Sequence, residues 1–175
     1  MLCPTLWSLD VNECEQFQVD CGHDRACFNT HGAYECVDIP CPTGYIRQNR
    51  TDCLLKCSSH YAPSCSHRRA IHIQHRFIAI PRFTVSNQTI FRFHPIADQH
   101  KSSTVLVDTS STGSPFPFLL DGDNLRVNRS LANSNEYELE IHQYKNEFYG
   151  KHLSHHRRRL HTIVHMRINV SPFDF

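Results

Sequence analysis

The nine cysteines of this 175-residue chain all lie in its first 65 residues, and the rest of the chain contains none. Dense cysteine over a short span indicates a disulfide-stapled module from an oxidising compartment. Such a module buries too little surface to fold on its core alone, so cross-links restrict the unfolded chain instead. The break in composition therefore predicts a chain of two parts, of which only the first is stapled.

Charge and hydropathy exclude some classes of function. The formal net charge is +1 with the 14 histidines neutral, so no strong field directs the chain to nucleic acid or to a membrane surface. The sequence contains no run of about 18 apolar residues, so it does not predict a membrane-spanning helix. The opening MLCPTLWSL lacks the basic region of a secretory signal, so we expect the natural protein to extend further at its N-terminus.

The stretch DVNEC packs Asp10, Asn12 and Glu13 directly against Cys14. Carboxylates this close repel one another unless a cation lies among them. A calcium ion, which takes six to eight oxygen ligands, would turn the repulsion into attraction. An exposed loop is the alternative interpretation.

The cysteines that follow carry a recognisable pattern. FNTHGAYE separates Cys27 from Cys36, and CPTGY begins at Cys41. With DVNEC, this order resembles the calcium-binding EGF-like module over residues 10–53. The resemblance implies that Tyr34 packs against the next module. It also implies three disulfides, Cys14–Cys27, Cys21–Cys36 and Cys41–Cys53, and a calcium ligand set of Asp10, Val11, Glu13, Asn29, Thr30 and Ala33.

One departure from the usual EGF pattern narrows the resemblance. Four residues, VDIP, separate Cys36 from Cys41, where one is usual. With CLLKCSSHYAPSC (53–65), FIAIPRF (77–83) and TIFRF (89–93), this looks like the end of the fibulin and hemicentin family, in which a fibulin-type C-terminal module follows the last EGF-like module. The resemblance implies that residues 54–175 form that module and that Cys57 pairs with Cys65. Residues 1–9 would be a remnant of a preceding EGF-like module, with Cys3 as its last cysteine or as a free or intermolecular thiol.

The second part of the chain reads as β-structure. Seven short runs of β-branched and aromatic residues, parted by turn-rich stretches, predict an all-β antiparallel sandwich. They are AIHI with RFIAI (70–80), TIFRFH (89–94), STVLVD (103–108), PFLLD (117–121), NLRVN (124–128), EYELEIHQY (136–144) and HTIVHMRINV (161–170). In the last run the alternation predicts a core face formed by Thr162, Val164, Met166, Ile168 and Val170. The predicted fold is thus a small disulfide-rich EGF-like module followed by this sandwich.

Other motifs concern the surface. The predicted N-glycosylation sites are Asn49, Asn87, Asn128 and Asn169. The basic cluster KHLSHHRRRLH (151–161) offers a contact for sulfated glycosaminoglycan through Lys151, Arg157, Arg158 and Arg159, or else is a solvated loop before the last strand. Zinc binding by His152, His155 and His156, or by His161 and His165, is a further interpretation. The last pair stands four residues apart on a predicted strand, about 13 Å, which is too far for one ion.

These features favour a secreted glycoprotein of the extracellular matrix, such as the basement membrane, that binds calcium through its EGF-like module. We expect it to act in matrix assembly or adhesion through contacts with matrix proteins or by self-association. The alternative is an EGF-like receptor ligand or an adhesion and signalling factor. No G-x-S-x-G, H-E-x-x-H or G-x-G-x-x-G motif occurs, so we do not expect an enzyme.

Overall fold

The computed structural model describes residues 10–56, 70–94, 102–111, 116–131, 133–148 and 156–172. Helix is confined, within these residues, to one short turn, α1, and the rest of the regular structure is β-strand. No described helix is long and apolar enough to cross a membrane. Cys3, Cys57, Cys65 and Lys151 lie outside the described residues, so the predictions made for them stay predictions.

The N-terminal part is built from α1 and two small hairpins. Its elements are α1 (Glu13–Gln16), β1 (Arg25–Thr30), β2 (Ala33–Asp38), β3 (Tyr45–Arg47) and β4 (Asp52–Leu55). Strands β1 and β2 pair as a two-stranded antiparallel sheet. Disulfides join Cys14 to Cys27, Cys21 to Cys36 and Cys41 to Cys53, which are the pairs that the EGF resemblance implies.

Seven strands form the described remainder of the chain, one for each predicted run. They are β5 (His72–Pro81), β6 (Thr89–Arg92), β7 (Ser102–Ser111), β8 (Phe118–Asp121), β9 (Asn124–Val127), β10 (Asn135–Phe148) and β11 (His156–Ser171). A six-stranded sheet has the order β3-β4-β5-β11-β10-β7, and a three-stranded sheet has the order β6-β9-β8. The predicted all-β fold is confirmed; the strands are mostly antiparallel as predicted, and the one parallel pair among the described strands is β5 with β11.

The core lies between these two sheets. Leu125 and Val127 of β9 face Ile141 of β10 and Ile168 of β11, and all four are fully buried. The core face predicted for the last strand is observed, because Thr162, Val164, Met166, Ile168 and Val170 are all buried. Strand β11 begins at His156, five residues before the predicted start at 161, so Arg157, Arg158 and Arg159 lie on a strand and not in a loop. Their basic side chains carry no hydrophobic alternation that would have indicated it.

The second hairpin of the EGF-like module belongs to the larger sheet. Strand β4 pairs antiparallel with β5, with Cys53 opposite Ile73, and thereby adds β3 and β4 to the six-stranded sheet. Cys53 and Ala70 are almost fully buried at this junction. The two parts of the chain are therefore joined by a continuous hydrogen-bonded ladder as well as by the covalent chain.

Candidate calcium site

Helix α1 begins at Glu13, the last acidic residue of DVNEC, and lies against the first hairpin. Asn12 caps this helix, and its side-chain oxygen accepts a hydrogen bond from the Glu15 amide. The disulfide from Cys14 to Cys27 fixes the helix against β1, with a Cα–Cα distance of 5.6 Å. This local structure brings Glu13 to the hairpin, and the irregular segment before the helix brings Asp10 to it.

The turn between β1 and β2 presents a backbone donor to Asp10. Gly32 has a φ of +79°, a conformation that glycine adopts at little cost. Its amide donates a hydrogen bond of 2.8 Å to Oδ1 of Asp10. His31, beside it in the turn, places Nδ1 3.5 Å from the same oxygen. Sequence reasoning did not select His31, and its place in the tight hairpin turn was the signal available.

Asn29 joins the two acidic residues. Its Nδ2 donates a hydrogen bond of 2.8 Å to Oδ2 of Asp10, and its Oδ1 accepts one of 3.0 Å from the Glu13 amide. Residues 10, 13 and 29 are thus brought into one cluster although Glu13 and Asn29 are 16 positions apart in the sequence. A single side-chain amide holds together the parts that the sequence pattern singled out.

The carboxylate of Glu13 is the group at this site that most needs a nearby positive charge. Its Oε2 is buried and has no hydrogen-bond partner in the described part of the chain. Buried polar atoms are nearly always paired, and a buried carboxylate oxygen without a partner is costly unless a positive group compensates it. Thr30 and Ala33, two further predicted ligands, stand opposite each other at the end of the hairpin, where Thr30 Oγ1 donates to the Ala33 carbonyl at 2.9 Å.

The donor set suits calcium. No three histidine, cysteine, aspartate or glutamate side chains group together as a metal cluster within the described ranges. Calcium does not need such a cluster, because it accepts amide and backbone carbonyl oxygens beside carboxylates. Asp10, Glu13, Asn29, Thr30 and Ala33 converge at this end of the hairpin, and Val11 lies between the two acids with 45% of its surface exposed. The residues present therefore fit a calcium ion.

Tyr34 does not pack against the following module as expected; 46% of it is exposed. The reason is its place in the hairpin. Tyr34 stands opposite Asn29, whereas Phe28 and Glu35 form the neighbouring pair and point to the other face. That other face meets the terminal module, where the Phe28 ring stacks on Phe77 at 5.1 Å.

The predicted glycosylation sites differ in their surroundings. Asn49, Asn87 and Asn128 are exposed, and Asn169 is half-buried within β11. The Nδ2 atom of Asn49 donates to Asp52 at 2.8 Å, so the nitrogen that would carry a glycan is already engaged there. Glycosylation stays a prediction at all four positions.

Comparison with known proteins agrees with this site. The family described as "Calcium-binding EGF domain" matches residues 10–53. The chain is 38% identical to Hemicentin-2 of Mus musculus over an alignment of 90 residues that covers 46% of this chain. It is 29% identical to Hemicentin-1 of Homo sapiens over an alignment of 141 residues that covers 75% of this chain. It is also 35% identical over 57 residues to the Cartilage oligomeric matrix protein of Rattus norvegicus. The chain spans about 2% of the length of these hemicentins.

These findings define the class of protein. The calcium-binding EGF domain, the three disulfides and the hemicentin relatives together indicate a secreted protein of the extracellular matrix whose cofactor is Ca²⁺. Within that class, the chain is hemicentin- and fibulin-like, with a calcium-binding EGF domain followed by a β-rich module.

Proposed function

We propose that this chain is a structural module that binds calcium at its EGF end and supports matrix assembly or adhesion through protein–protein contacts. The observation that carries the calcium part is the buried Oε2 of Glu13, which has no hydrogen-bond partner among the described residues. The backbone of the same residue is hydrogen-bonded to Asn29, which is in turn hydrogen-bonded to Asp10. The proposed role is structural because the site offers oxygen ligands for a cation.

The proposed ligand roles follow from the chemistry of each group. Asp10 and Glu13 provide carboxylate oxygens, and Asn29 provides its amide oxygen. The backbone carbonyls of Val11, Thr30 and Ala33 complete the set. A bound calcium ion supplies positive charge and several coordination bonds, which draw such oxygens together. In this chain that would fix the acidic stretch to the tip of the β1–β2 hairpin.

The sheet that joins the two modules supports a mechanical role. Arg76 of β5 pairs with Asp52 of β4 at 2.8 Å, and Tyr45 donates its hydroxyl to the Ala70 carbonyl at 2.7 Å. Arg167 of β11 reaches Glu35 of β2 at 3.5 Å. Because these contacts cross the junction, the terminal sandwich would restrict motion of the EGF-like module. A calcium ion that orders one end of that module would therefore stiffen the junction as well.

A second proposed partner is sulfated glycosaminoglycan. Arg157, Arg158 and Arg159 occupy successive positions of β11, and the register places Arg159 opposite Lys145. Consecutive basic residues on an extended strand favour a polyanion through charge-assisted hydrogen bonds. Lys151 belongs to the same proposal on sequence grounds.

Solution assembly tests the main proposal. We expect sedimentation velocity of the oxidised chain, or binding to immobilised matrix proteins, to show association that weakens when calcium is chelated. Association that is unaffected by calcium and by Asn29→Ala would refute the proposed link between calcium binding and assembly.

A heparin column tests the glycosaminoglycan proposal. Replacement of Arg157, Arg158 and Arg159 by Ser should lower the salt concentration needed for elution, and Arg50→Ser serves as the exposed control. Receptor phosphorylation in treated cells would instead favour the ligand alternative.

A further inference from the structure

Polar side chains replace apolar ones on part of the core-facing side of the six-stranded sheet. On β5, Ile78 and Ile80 belong to the core cluster or pack against it, whereas His72, Gln74 and Arg76 occupy the same side of the strand. A polar side chain turned toward a core costs free energy unless it is paired, and such local rules are broken mostly at functional sites. The change from apolar to polar residues along β5 therefore indicates a candidate site at this end of the sheet.

The polar residues of neighbouring strands lie in one row. The register places His72 of β5 opposite Thr162 of β11, and Thr162 opposite Gln143 of β10. Thr162 and Gln143 are buried although both are polar. At the edge strand β7 the row ends with Thr104, the register partner of Gln143, whose hydroxyl donates to Asp123. Because register partners project to the same side of a sheet, four adjacent strands carry hydrogen-bonding groups at one level.

A cavity of about 330 Å³ lies over this row. Across from the row it is lined by Phe91 of the facing sheet and by Phe93 and His94 just after it. The two phenylalanine rings meet edge to face, with centroids 4.9 Å apart. The described lining shares no residue with the calcium site. The volume is at the low end of the range for small-molecule sites, which suits one sugar unit better than a peptide segment.

The polar part of the lining is rich in hydrogen-bond donors. The imidazole of His72 stacks on that of His161, with centroids 5.3 Å apart, and Nδ1 of His161 lies 3.0 Å from the Thr162 hydroxyl. Nε2 of Gln143 donates to the His94 carbonyl at 3.1 Å, which fixes the side-chain amide in place. Every imidazole carries at least one N–H donor. Such groups suit the oxygen atoms of a sulfate group and of sugar hydroxyls.

The permanent charges at the cavity leave room for an anion. Arg76 is paired with Asp52 through Nη1 at 2.8 Å. A guanidinium has five N–H donors, so Arg76 keeps donors for a second anion. No carboxylate belongs to the lining within the described part of the chain. The basic positions 157–159 end two residues before His161 on the same strand, so a polyanion bound along them would reach this cavity.

We propose that this cavity binds one sulfated sugar unit of a glycosaminoglycan chain that continues along positions 157–159 of β11. The sulfate group accepts hydrogen bonds from His72 and Arg76, and the bond from the guanidinium is charge-assisted. The sugar hydroxyls contact Gln143 and Thr162, and the sugar ring lies against Phe91. This inference rests on the proposed glycosaminoglycan partner and adds the site that recognises an individual sugar unit.

NMR titration of the oxidised full chain with a sulfated heparin disaccharide tests this proposal on the wild type. We expect saturable shifts of the side-chain signals of His72, Gln74 and Gln143, and none for His23, which is 90% exposed on the EGF-like module. The same disaccharide without sulfate, and inorganic sulfate alone, should each bind about tenfold more weakly or worse. Equal affinity for either of these two probes, or shifts confined to residues 157–159, would overturn the proposal.

Two variants test the cavity by affinity. His72→Glu should weaken disaccharide binding about tenfold or more, because it places a negative charge where the sulfate group binds. Thr162→Val keeps the size of the buried side chain and should weaken binding about 2- to 10-fold, the loss of one hydrogen bond. His23→Glu makes the same change in net charge as His72→Glu and should bind like the wild type. Unchanged affinity in both His72→Glu and Thr162→Val would overturn the proposal.

Replacement of Arg157, Arg158 and Arg159 by Ser separates this inference from the proposal on which it rests. Disaccharide binding at the cavity that persists, with heparin retention unaffected by the three replacements, would support the cavity and refute the basic strand as a contact. Heparin retention that depends on the three arginines, with disaccharide binding unaffected by His72→Glu and Thr162→Val, would refute the cavity alone.

Discussion

The two ends of this molecule are ordered by different means. At the calcium end, α1 and the β1–β2 hairpin are half-exposed and polar, and disulfides with a network around Asn29 hold them together. In the terminal module, a continuous apolar core between two sheets holds the strands together, and Ile141 and Ile168 are fully buried in it. The first region is held by cross-links and, in our proposal, by a calcium ion, whereas the second is held by buried apolar area.

The β3–β4 hairpin belongs to both regions. The Cys41–Cys53 disulfide ties it to the EGF-like module, while Cys53 faces Ile73 in the larger sheet. The comparison teaches that the boundary predicted at Cys53, the last EGF cysteine, would divide a single hydrogen-bonded sheet. The following variants break or sharpen that comparison.

The largest expected effect is in the sandwich core. Ile141→Ala should lower the free energy of unfolding by about 2–5 kcal/mol, because Ile141 is fully buried between the sheets. Ile46→Ala is the matched control, since Ile46 is 47% exposed on β3, and it should change stability by at most about 0.5 kcal/mol. Denaturant unfolding of both variants measures the difference, and equal losses would contradict the location of the core.

Disulfide removal should separate the two regions. Replacing Cys41 and Cys53 by Ala, or Cys14 and Cys27 by Ala, should each cost about 2–4 kcal/mol of local stability. Hydrogen exchange of amides in β10 and β11 provides the measurement. Only removal of Cys41–Cys53 should speed exchange there, because Cys53 lies in the shared sheet. Faster exchange in β10 after loss of Cys14–Cys27 would show that the regions are not distinct in this way.

A smaller coupling is expected across the junction. Phe28 is 3% exposed and stacks on Phe77 with ring centroids 5.1 Å apart. A double-mutant cycle with Phe28→Leu and Phe77→Leu should give an interaction energy of about 0.5–1.5 kcal/mol. Additive effects of the two substitutions would mean that the modules do not pack through these rings.

A further effect concerns pH. The pKa of His75 is lowered to about 4 from an ordinary value near 6.5, so the unfolded chain binds a proton there before the folded chain does. Stability contributed by the neutral ring is complete above about pH 6.5 and falls as the pH drops toward 4. Thermal unfolding of His75→Gln should therefore lose less stability between pH 7 and pH 5 than the wild type, while His23→Gln should behave like the wild type. Parallel curves for the wild type and His75→Gln would contradict the assignment.

Local pattern predicted much of this structure. Alternation from Thr162 to Val170 identified the buried face of β11, because a strand buried on one side repeats every two residues. Cysteine spacing and DVNEC identified the calcium-binding EGF module, because both signals lie within residues 10–53. Both signals are carried by residues near one another in sequence.

Long-range register could not be predicted in the same way. The parallel pairing of β5 with β11 joins residues about ninety positions apart, such as His75 and His165, and neither segment carries a mark of the other. For the same reason the sequence did not indicate that His75 lies opposite His165 in the sheet. The contribution of β3 and β4 to the larger sheet was likewise hidden, because the EGF cysteine pattern describes that hairpin as part of a closed module.

Calcium calorimetry on the oxidised chain, with Glu13→Gln and Asn29→Ala, tests the central claim most directly. Glu15→Gln is the matched control, since Glu15 is an exposed acid of the same short helix and is outside the proposed ligand set. We predict one saturable calcium site in the wild type and in Glu15→Gln, lost or strongly weakened in the other two variants. Calcium binding that survives both Glu13→Gln and Asn29→Ala, or that depends equally on Glu15, would contradict this account.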